Sequence, residues 1–122
     1  MRRERTNTPL QALLLMNDPQ YVEAARALAE RVLREGGDAL EDRVATMFRL
    51  GTARKPNADE LADLVQLFED AHHAFAANPD AAANLVKIGE SVPDSALDTT
   101  EVAALTIAAS TVLNLDEVIM KN

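Results

Sequence analysis

The sequence contains no cysteine and no tryptophan, and its aromatics are one tyrosine and three phenylalanines. The missing thiols exclude disulfides, thiolate metal sites, a cysteine nucleophile and haem attachment through a C-x-x-C-H motif. They leave the compartment open. The scarcity of rings excludes an aromatic core, so the interior must be built from Leu, Val, Ile, Met and Ala. Long apolar runs are also missing. The longest uncharged stretch, Val102 to Leu115, has 14 residues and includes Thr, Ser and Asn, whereas a bilayer span takes about 20. Direct membrane insertion is not expected. Met1 to Arg5 is charged and leads to no apolar region with a small-residue cleavage site, so no signal peptide is expected in this chain.

Cations are few as well. The formal net charge is −8, which argues against nucleic acid, because phosphate binding needs clustered Lys and Arg. The imbalance is uneven. Residues 1–55 hold ten cations and eight acids, whereas residues 56–122 hold two cations and twelve acids. The plain reading of the second half is a solvated acidic surface. The sharper one is that the Arg-rich start docks on an acidic partner surface, elsewhere in the same parent chain.

What is present is a helical composition. Apolar residues make up 48% of 122 residues, enough for one domain with one core. Ala and Leu dominate, which favours helix. Six start signals stand in order: Thr8-Pro9-Leu10-Gln11, Asp18-Pro19, Asp38-Ala39-Leu40-Glu41, Asn57-Ala58-Asp59-Glu60, Asn78-Pro79-Asp80 and Asp98-Thr99-Thr100-Glu101. Each offers a side-chain oxygen to the orphan N–H groups of a first turn, with Pro at the first position or an acid three residues on. With apolar periodicity behind each, they predict six helices.

The first covers about Pro9–Met16 and is apolar nearly all round. The second, about Pro19–Glu35, stripes Tyr21, Val22, Ala25, Leu28, Ala29, Val32 and Leu33 on one side. Arg26–Glu30, Glu30–Arg34 and Arg31–Glu35 are expected on its outer face. Gly36-Gly37 ends it. The third, about Ala39–Thr52, is expected to bury Leu40, Val44, Met47 and Phe48. The fourth, about Ala58–Ala77, buries Leu61, Leu64, Val65, Phe68, Ala71 and Phe75. The fifth runs from about Pro79 to Gly89, and Ser91–Leu97 reads as a loop. The sixth begins at Thr99 and reaches Asn114 or as far as Met120. Its charge-free faces call for burial in the bundle or contact with another part of the protein. The fold class is therefore all-α: a compact bundle of five or six helices with short loops, one domain over residues 1–122, with 1–7 as a lead-in.

Candidate chemistry is thin. Glu69-x-x-His72 has the i,i+3 spacing of di-iron bundles, but such sites need a second copy and two further Glu. His72 falls on the apolar stripe beside Phe68 and Phe75. His73 falls on the flank, about 100° away, so the two cannot readily share a metal. Both read as structural or surface histidines. Asp116 and Glu117 would suit a glycosidase only if set across a cleft from partners; a solvated helix end is the plainer reading. Ser91, Ser95 and Ser110 lack nucleophile-elbow context, and no phosphate loop or dinucleotide fingerprint is present. Asn17 could touch a ligand from its turn, whereas Asp18 is explained by capping. No catalytic residue, no cofactor and no metal site is assigned. Arg2, Arg3 and Arg5 precede the first predicted helix. Ordered, they would dock on the bundle or on a neighbouring domain.

The run Arg2-Arg3-Glu4-Arg5-Thr6-Asn7-Thr8-Pro9-Leu10-Gln11-Ala12-Leu13, followed by Met16-Asn17-Asp18-Pro19-Gln20-Tyr21-Val22-Glu23-Ala24-Ala25, resembles a planctomycete-specific C-terminal domain of unknown function. Phe48-Arg49-Leu50, Pro56 through Glu60-Leu61, and Leu113-Asn114-Leu115-Asp116-Glu117 are similar to it in the same order. The chain departs at Val118, where the family usually has an aromatic, and across Thr52-Ala53-Arg54-Lys55. The resemblance implies a module at the end of a large exported protein that often carries a cytochrome c domain. It also implies an extracytoplasmic setting, and that Met1 is not the native start. It carries no catalytic residues, and any haem belongs to another domain. Upstream domains of the same parent chain are the implied partners. The alternatives are a piece of a polysaccharide-acting enzyme, contributing Asp116 and Glu117 to a shared cleft, and a ligand- or metal-binding bundle around His72.

Overall fold

A computed structural model describes residues 19–89 and 92–121, with 115–121 described as backbone alone. Five helices lie among the described residues: α1 (Pro19–Glu35), α2 (Leu40–Thr52), α3 (Ala58–Ala77), α4 (Pro79–Val86) and α5 (Thr99–Lys121). The architecture is an all-α bundle, with no strand among the described residues. The first predicted helix, about Pro9–Met16, lies outside them.

Local chemistry explains most helix ends. Gly36 N–H closes the last bond of α1 on Val32 O at 2.7 Å, and Gly37, at φ +97°, takes the chain out. A left-handed residue at this point is the usual helix stop. Asn57 starts α3 with a full capping box: its side chain accepts from Glu60 N–H, and the Glu60 carboxylate accepts from Asn57 N–H. Asn78 Oδ1 accepts from Ala81 N–H to open α4 behind Pro79. Asp98 Oδ2 accepts from Glu101 N–H at 3.0 Å to open α5.

Two boundaries correct the sequence reading. The expected Asp38–Glu41 capping box does not form. Ala39 is the N-cap of α2, with no side-chain cap bond. Gly37 O instead accepts from Arg43 Nε at 2.9 Å, which ties the turn from the helix side. The second correction is that α4 stops at Val86, not at Gly89. Gly89 has φ +99°, which a continuing right-handed helix cannot use.

Helix α5 is the axis of the bundle. It packs against all four other helices, while α1, α2, α3 and α4 also touch in sequence order around it. Every residue from Val102 to Ser110 is buried, and so is Val112. The charge-free run is therefore covered by the bundle itself. Small side chains at Ala103, Ala104, Ala108 and Ala109 let neighbours approach from every side, and Leu105, Ile107 and Val112 fill the gaps between them. Burying each of those larger side chains is worth about 1.5–3 kcal/mol. The two hydroxyls in this run do not break it. Thr106 donates to Val102 O at 2.7 Å and Ser110 to Ile107 O at 2.8 Å, so neither is left unsatisfied.

Two clusters form around this axis. One joins Val22 of α1, Phe75 of α3, and Leu85 and Val86 of α4 to Val102, Ala103, Ala104 and Ile107. The other joins Ala25, Ala29 and Val32 of α1, Val44, Met47 and Phe48 of α2, and Leu64 of α3 to Leu105, Ala108, Ala109 and Val112. Among the described residues, no helix is long and apolar enough to cross a membrane.

Candidate functional site

The most connected polar assembly runs along α1. Arg26 is 2% exposed, although its pairing with Glu30 placed it on the outer face in the sequence reading. Its guanidinium Nη1 donates to Val86 O and reaches Ile88 O at 3.5 Å. These carbonyls lie at and just past the end of α4, where helix carbonyls lack partners within the helix and favour a cation. Arg26 Nε lies 3.8 Å from Glu30 Oε2. Glu30, also buried, accepts from Asp94 N–H at 2.9 Å. The Asp94 carboxylate takes Arg34 Nη1 at 2.8 Å and Ala96 N–H at 2.9 Å. These two bonds, the backbone one first, hold the Asp94 carboxyl below its ordinary value of 3.8.

The assembly is a clasp. It fastens the connection between α4 and α5 to α1. Gly89 completes the fit: a Cβ there would stand 2.7 Å from Glu23 Oε1 and 2.9 Å from Glu23 Cβ. The connection therefore needs glycine twice over, for its positive φ and for its closeness to α1.

The three ion pairs expected on the outside of α1 divide. Arg31–Glu35 stands on the surface at 3.3 Å, as expected. Arg26–Glu30 is buried. Glu30–Arg34 is replaced, because both residues turn to Asp94. A signal for this was present. Val22, Arg26, Ala29 and Leu33 share one stripe at i, i+4, i+7 and i+11, so Arg26 lies in line with core positions.

A second, exposed assembly joins α2 to α3. Arg54 forms a two-pronged pair with Glu60, at 3.0 and 2.8 Å, and lies 4.8 Å from the Phe48 ring centre. The Arg54 bond and then the Asn57 N–H hold the Glu60 carboxyl below its ordinary 4.5; the same pairing raises the Arg54 guanidinium. Ala53, at φ +66°, makes the turn between them.

The residues singled out for chemistry are scattered. His72 is half-buried, its ring 5.5 Å from that of Phe68. His73 and Glu69 are exposed on the same helix. Among the described residues no group of three or more His, Asp or Glu gathers as a metal site. Ser110 is committed to its helix backbone, and Ser95 is exposed. Asp116 and Glu117 stand on α5, and their side chains are outside the description. Arg2, Arg3, Arg5, Asn17, Asp18 and Ser91 also lie outside the described residues.

Fold and site together define an all-α bundle whose buried charges are turned inward onto its own backbone. The chain matches the model of the PSD1 family, a protein of unknown function (DUF1553), over residues 1–68. That is more than half of its 122 residues, and the chain belongs to this family. No curated protein and no solved structure matches it. The matched part holds α1, α2 and the first half of α3. It thus contains Arg26, Glu30 and Arg34 but not the connection they grip.

Proposed function

We propose that this chain is a non-catalytic helical module at the C-terminal end of a larger exported planctomycete protein, where it packs against upstream domains of the same parent. One observation carries the reading. Among the described residues, the four buried polar or charged side chains, Arg26, Glu30, Thr106 and Ser110, each make a hydrogen bond within the bundle. A binding or catalytic site normally aims buried polar groups into a cleft. Here they tie a connection to a helix, or a helix to itself, which suits a structural part.

The uneven charge supports an interface that uses the Arg-rich start, because an acidic counterpart would attract it. The buried run of α5 no longer speaks for an outward docking face, since the bundle covers it. The family resemblance supports an extracytoplasmic setting. The test is titration calorimetry between this chain and the rest of its parent, expressed separately. Saturable binding with a negative heat-capacity change is expected, weakened when Arg2, Arg3 and Arg5 are changed to Ser. No binding heat at any temperature tried would overturn the proposal.

A further inference from the structure

We draw no further inference here: the strongest candidate, the exposed apolar pair Ile88 and Val92 on the connection between α4 and α5, carries nothing because nothing in the structure shows what covers it.

Discussion

The bundle holds two connections with arginine–glutamate pairs, and they work on different physics. The α2–α3 turn is held by Arg54 and Glu60, whose side chains are 46% and 27% exposed. The α4–α5 connection is held by Arg26 and Glu30, at 2% and 10%. Water competes for the first pair and screens it, so its Coulomb energy is small. Water is shut out of the second, so each group depends on its protein partners, and losing one leaves the other as a buried charge without its countercharge. The exposed pair also acts locally, six residues apart, inside a capping box. The buried pair joins positions 60 to 64 residues apart. A short-range contact trims the entropy of a turn; the long-range one ties the α4–α5 connection to α1.

The largest expected effect follows from that contrast. Arg26→Ala should destabilise the chain by about 3–5 kcal/mol, because Glu30 loses its buried countercharge and Val86 O loses its donor. Urea unfolding reads it directly. Replacing both charges by apolar residues of similar size, Arg26→Met with Glu30→Leu, should cost less than the single change. The pair's value lies in mutual compensation, not in attraction gained over water. A double variant as weak as the sum of both single changes would mean that the backbone bonds to Val86 and Asp94 matter more than the charges.

Gly89→Ala comes next. The positive φ and the 2.7 Å approach to Glu23 oppose a Cβ together, for about 1–3 kcal/mol by the same measurement. The equivalent break on the exposed side is Asn57→Ala, which removes one cap bond and should cost about 1 kcal/mol. Equal losses at the two sites would erase the distinction between a buried, long-range clasp and a local, solvated one.

The same contrast explains what could be read from the sequence. Helix starts at Asn57, Asn78 and Asp98 were legible because a cap acts over three residues. The core run of α5 was legible because a helix without charge on any face must be covered. Asp38 misled, since its spacing fits a capping box while Arg43 and Gly37 settle the turn another way. The clasp was misread for a deeper reason. Arg26 and Glu30 at i,i+4 look like a solvated pair, and the groups that bury them belong to a distant connection whose path no local pattern encodes. The chemistry candidates at His72 and His73 were weak in the sequence, and the fold separates them as helical geometry requires.

The smallest effect is at Asp94, and its pH dependence tests the outer edge of the clasp. The folded state holds this carboxyl below 3.8, through Ala96 N–H and Arg34. A depressed carboxyl contributes stability that is fully present above the ordinary value and is lost as pH falls through the lower folded one. Asp94→Asn should therefore lower the urea midpoint at neutral pH by less than Asn57→Ala does. The gap to the unaltered chain should begin to narrow on acidification below about 3.8 and close as pH falls through the lower folded value of Asp94, where its carboxyl is neutral like the Asn amide. About 1 M salt should shrink the Arg34 part of that gap, because the Debye length falls to about 3 Å. The bond from Asp94 N–H to the buried Glu30 is made by backbone, so Asn at position 94 keeps it. A loss at neutral pH as large as that of Arg26→Ala would mean that the carboxylate, and not the buried pair beneath it, fastens the connection.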